Sequence, residues 1–154
     1  MKRMVLSAAV SAAALLFAVN AAAQITAEQR AHQRATLAPG FADQTLDSWS
    51  MSSYGMRALP GCADGGNIHN SVSVTLTVTE TLPSLNISVN SSHDTLLLVS
   101  DPQGNLTCND DSSGLNPALH FGNLPAGQYS IYIGNFLSVA RGTNYFEAPL
   151  RLRP

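Results

Sequence analysis

The sequence predicts an all-β fold, an antiparallel β-sandwich of the jelly-roll kind with about seven or eight short strands. Three observations carry that expectation. Apolar residues recur with a period of two through most of the chain after Ser71. Turn residues punctuate the pattern every 8–12 positions, the spacing of short antiparallel strands. No stretch after Pro39 shows the 3.6-residue apolar stripe of a helix. A closed barrel is the alternative, because alternation alone does not separate the two.

The chain has 154 residues, 45% hydrophobic and 12% charged. That suits one domain. Residues 1–23 read as a secretory signal peptide. Lys2 and Arg3 are basic, Met4 to Val19 is apolar, and Ala21-Ala22-Ala23 offers small residues for cleavage before Gln24. The apolar run falls short of the roughly 20 residues that span a bilayer, which disfavours a retained anchor. The expected product is periplasmic or secreted, with no membrane insertion after cleavage. It keeps six arginines and no lysine against ten acids, a formal charge of −4. No basic face for nucleic acid is visible.

Residues 24–44 read as a leader. Thr26-Ala-Glu-Gln29 has the form of a capping box, which predicts a short helix over Ala27 to Thr36, ended by Pro39-Gly40. The sandwich domain is expected over 45–154. Val72, Val74, Leu76 and Val78 alternate with Ser71, Ser73, Thr75, Thr77 and Thr79. Pro83 interrupts, and Leu85, Ile87 and Val89 resume the alternation. Thr95 to Val99 is nearly continuous in apolar residues, as an interior strand requires. Asp101-Pro-Gln-Gly104 has the residues of a type I turn, which makes Leu106 to Asn109 the returning strand. Ala118 to Gly122 is the next strand, and Leu124-Pro-Ala-Gly127 turns the chain. Tyr129, Ile131 and Ile133 follow, and Phe146, Ala148, Leu150 and Leu152 form the last strand.

Cys62 and Cys108 are the two cysteines. In an oxidising compartment an even count reads as a disulfide. Such a bridge closes a loop worth roughly 4 kcal/mol by chain entropy. A two-thiol metal site is the weaker reading, since no CxxC or HxxxH lies nearby.

The polar residues Asp94, Asp101, Asn105, Asn109, Asp110, Asp111, Ser112 and Asn116 fall close together in sequence. Asp101, Asn105, Asn109, Asp110 and Asp111 are the candidate ligands for calcium, a hard cation that takes six to eight oxygens. The same residue types also cap turns with their own side chains, and that reading carries more weight. The spacing does not match an EF-hand loop. No cofactor is required on this reading. Asp111-Ser112-Ser113-Gly114 faintly echoes a serine-peptidase nucleophile box, with His93 or His120 as the bases available to Ser112. The glycines that shape an oxyanion hole are missing, so no catalytic residues are expected.

The run from Asp94 to Phe136 resembles the bacterial pre-peptidase C-terminal (PPC) domain family. The matching pieces are Asp101 to Asn105, Asn109 to Gly114 and Gly127 to Gly134. Small exported members also show a cysteine pair matching Cys62 and Cys108, the Asn116-Pro117 step, and an upstream segment like Leu37 to Asp43. The resemblance implies a β-sandwich appended to secreted peptidases and used for attachment, itself non-catalytic. It implies a protein or glycan ligand, and relatives in bacterial collagenases bind calcium and collagen. No peptidase domain accompanies the match within these 154 residues.

Overall fold

The computed structural model describes residues 32–52, 56–58, 67–69, 72–135 and 144–154. The expected signal segment, the capping box at Thr26 and Cys62 lie outside the described residues. Thirteen strands and no helix occur among them. They are β1 (Gln33–Leu37), β2 (Gln44–Leu46), β3 (Trp49–Ser52), β4 (Met56–Ala58), β5 (Asn67–His69), β6 (Val74–Val78) and β7 (Leu82–Val89). The rest are β8 (Thr95–Ser100), β9 (Leu106–Asn109), β10 (Ala118–Leu124), β11 (Gly127–Asn135), β12 (Asn144–Glu147) and β13 (Leu150–Arg153). Among the described residues no helix is long and apolar enough to cross a membrane.

The strands form a seven-stranded sheet, a four-stranded sheet ordered β10-β7-β13-β2, and the pair β12-β3. In the large sheet β1-β6-β11 run in order, β8 and then β9 continue beyond β11, and β5 and β4 join at the end of β11. Alternate residues of both sheets point into one core. Val74, Leu76 and Val78 meet Leu85, Ile87 and Val89, with Leu97, Val99, Ile131, Ile133, Leu150 and Leu152 between. Each is at most 3% exposed, so each contributes about 1.5–3 kcal/mol of hydrophobic burial. Tyr129 is buried with them, and its hydroxyl donates to Pro125 O at 2.8 Å. Burial, with Asp101 nearby, holds that phenol above its usual range.

β8 is buried along five consecutive positions, as its apolar run requires. Leu97 and Val99 face the shared core. Leu96 and Leu98 form a second cluster on the other face, against Cys108 and Tyr132.

The structure corrects three details. The helix expected up to Thr36 gives way to a strand over Gln33–Leu37, paired parallel with β6. The sheets are therefore not wholly antiparallel, and this part of the leader belongs to the fold. Ala35 and Leu37 bury on the same side of β1. Gln33 N donates to Ser73 O at 2.7 Å, and the Thr79 amide and hydroxyl both donate to Leu37 O. A ten-residue helix is marginal alone, and a waiting sheet edge outweighs its cap. Pro83 does not interrupt its strand. It sits exposed within β7 opposite Asn123, and this one position is missing from the β7–β10 register. Proline has no N–H to give there, and Asn123 takes a φ of 50°. Finally, the last predicted strand is two. Ala148 and Pro149 separate β12 from β13, and Ser48 clasps the break by exchanging hydrogen bonds with Ala148.

Gly127 shows how tightly the turns pack. It lies at a φ of 155°, and a Cβ there would stand 2.5 Å from Pro102 Cγ. Gly127→Ala is expected to lower unfolding free energy by about 1–3 kcal/mol in a denaturant titration. Gly122→Ala meets nothing within 4 Å, and its change is expected within about 0.5 kcal/mol.

Candidate functional site

The eight polar residues separate into two groups at opposite ends of β9. At one end lies the β8–β9 turn. Asp101 Oδ1 accepts from the amides of Gln103 (2.9 Å) and Asn105 (2.8 Å), and Oδ2 accepts from Asn105 Nδ2 at 2.7 Å. Gly104 N donates to Asp101 O, which closes the turn that the residue order predicts. Hydrogen bonds, that of the Asn105 side chain foremost, hold the Asp101 carboxyl below the usual carboxylate range.

At the other end, Asn109 Oδ1 accepts from the Ser112 hydroxyl at 2.8 Å and from Ala118 N at 3.1 Å. The same hydroxyl lies 3.2 Å from Ala118 O. Asn109 ends an edge strand of the large sheet, and Ala118 begins an edge strand of the small one. These side chains therefore stitch two sheets together where no backbone ladder joins them. Asp110 Oδ1 accepts from Asp111 N, and Asn116 Oδ1 accepts from Ser91 N at 2.8 Å. Ser113 and Asn116 pair across a tight turn at Gly114 and Leu115. Partial burial, then the charges of Asp111 and Asp110, holds Asp94 above the usual carboxylate range.

This geometry bears on the calcium set. Four extended residues put Asp101 and Asn105 about 10–14 Å from Asn109, Asp110 and Asp111. Ligands around one calcium ion lie at 2.3–2.6 Å from it. The five residues therefore do not share one shell. Among the described residues no group of three His, Cys, Asp or Glu side chains is placed to hold a metal ion.

Ser112 and the two histidines considered as its bases each bond to other partners among the described residues. His93 Nδ1 lies 3.3 Å from Ser92 Oγ, and its ring packs on Phe146 with centroids 4.6 Å apart. His120 Nδ1 lies 2.8 Å from Asn86 Oδ1. Ser112 bonds to an amide oxygen, which cannot take its proton. Sequence reasoning missed the stitching role of Asn109, because only the fold reveals that Ala118 lies opposite. The half-buried Cys108 stands on β9 across from Leu98.

No family model matches the chain, and no curated protein matches it in sequence. Among solved structures it is similar to Aeromonas hydrophila PliG, described as a periplasmic lysozyme inhibitor of g-type lysozyme. The identity is 12% and the TM-score 0.43, over 80% of this chain and 98% of that one.

Two carboxylates with opposite shifts give opposite pH signatures. Asp101 is harder to protonate when folded, so its contribution is present above 3.8 and fades as pH falls through its lower native value. Asp101→Ala is expected to lower the melting midpoint at neutral pH and to converge with wild type in acid. Asp94 is easier to protonate when folded, so its charged form costs stability at neutral pH, a cost relieved as pH drops toward 3.8. Asp94→Asn is expected to raise the neutral midpoint, with the gap closing in acid. Asn109→Ala removes the acceptor of the part-buried Ala118 amide and is expected to cost about 0.5–1.5 kcal/mol in a denaturant titration.

Proposed function

We propose that the protein is an exported, non-catalytic β-sandwich module with a binding or accessory role toward a protein or glycan ligand. The observation that supports this most is the commitment of Ser112. Its hydroxyl serves Asn109 and Ala118 at the seam between sheets, and no histidine reaches it among the described residues. A sandwich whose polar loop residues are spent on its own backbone has its outer faces and edges left for recognition. The PPC-like motifs support the same role. The Asp101–Asn105 piece builds a turn and the Asn109–Gly114 piece builds the seam, as attachment domains need rigid loops.

Calcium-dependent attachment is the second reading. The observation that favours it is that Asp111 and Asp110 lie near enough to Asp94 for their charges, after burial, to hold its carboxyl up. It excludes Asp101 and Asn105 from the same ion.

The non-catalytic reading is tested with the mature protein and a serine-directed fluorophosphonate probe. Neither labelling nor turnover of chromogenic peptide and ester substrates is expected. Labelling at Ser112 overturns the reading. A melt with millimolar calcium against chelator separates the second reading. A site at a hundred times its dissociation constant adds about 2.7 kcal/mol, several degrees in a domain this size. No shift is expected. The disulfide proposed between Cys62 and Cys108 predicts no reactive thiol in denaturant and two after reduction.

A further inference from the structure

The two outer faces of the sandwich differ in charge. On the small sheet, Arg153 is paired with Asp43. On the large sheet, register sets Arg34, Thr75, Ser130, Ser100 and Leu106 in one row across β1, β6, β11, β8 and β9. At a strand spacing of about 4.8 Å, that row is about 19 Å long. A second row, Thr36, Thr77 and Gln128, runs beside it. These positions alternate with core residues such as Ala35, Leu76, Tyr129 and Val99, so they turn away from the core. Arg34, Thr36, Gln128 and Leu106 are exposed, and Thr75, Thr77, Ser100 and Ser130 are half-buried. His32 joins them, with its Nε2 3.3 Å from Thr75 Oγ1.

The make-up of this face selects a ligand. Its middle is hydroxyl and amide, and no other group among the described residues engages the side chains of Thr77, Ser100 and Ser130. Among the described residues of these five strands, none on this face is Asp or Glu, in a chain with ten acids against eight Lys and Arg. Arg34 is a fixed cation whose planar fork matches a carboxylate. A protein partner brings an apolar centre to its interface. Here the large exposed apolar side chain, Leu106, sits at the rim. Tyr132 is the aromatic of this face, and its ring is taken up by packing on the Leu96 and Leu98 cluster. Charge and hydroxyls therefore outweigh stacking. Building on the non-catalytic binding role above, which it requires, we propose that the outer face of the large sheet binds an acidic polysaccharide of the polyuronate class. The polymer lies across the strands, with a carboxylate at Arg34 and its hydroxyls on the Thr75, Ser130 and Ser100 row.

The test is calorimetric titration of the mature chain with polygalacturonate and with alginate, at low and high salt. Saturable binding to at least one is expected, weaker at high salt, with none to the neutral polymer dextran. Arg34→Ala and Thr77→Glu are each expected to weaken binding about fivefold. Arg34→Lys keeps the charge without the fork and is expected to fall between. Arg151→Ala removes an exposed arginine of the other sheet and is expected to change nothing. Melts verify that each variant folds. Binding to neither polyuronate overturns the proposal. So does an equal loss in Arg34→Ala and Arg151→Ala, which reports overall charge and no site. Equal binding of poly-glutamate also overturns it, in favour of an acidic peptide. Reducing ends are counted in the same mixtures: their release overturns the non-catalytic role and leaves the ligand class standing.

Discussion

The contact between the two sheets at β9 and β10, where no backbone ladder joins them, rests on one amide oxygen. Asn109 Oδ1 takes both the Ala118 amide and the Ser112 hydroxyl. A part-buried hydrogen bond of this kind contributes about 0.5–1.5 kcal/mol, a noticeable share of a small domain's stability. The seam also positions the acidic loop. Asp110 and Asp111 follow Asn109 directly, so anchoring Asn109 holds their charges near Asp94.

The core itself is built by strict alternation. β6 and β13 place every second residue inside and the others outside, so a one-residue slip would invert each face. β8 departs from this rule because both of its faces are covered. The turns are rigid for related reasons. Pro102 packs on Gly127, and the Asp101 carboxylate caps the same turn. Tyr129, tied to Pro125, closes this end of the core. The exposed Arg153–Asp43 pair at 3.3 Å adds little to this framework, because solvent screens it.

The polar loop after β9 is tied into the architecture, as the turn-capping residue types in its sequence lead one to expect. Asn109, Ser112 and Asn116 each direct a side chain at backbone or at one another. β1 is formed by a segment whose local sequence points to a helix, and it is held in the large sheet by its parallel pairing with β6.

Strand period, turn chemistry and composition were legible because they act over a few residues. Val74 to Val78, the Asp101–Gly104 turn and the buried run of β8 need only their own sequence to declare themselves. Tertiary structure decided the rest. It converted Gln33–Leu37 to strand, since β6 offered hydrogen bonds and a core that an isolated turn of helix lacks. It carried β7 through Pro83, because Asn123 opposite could yield. It divided the acidic and amide residues between two ends of β9, a separation invisible in a sequence where they look like one cluster. The physical reason is common to all three: pairing across a sheet joins residues far apart in the chain, and its hydrogen bonds and burial outweigh local preference.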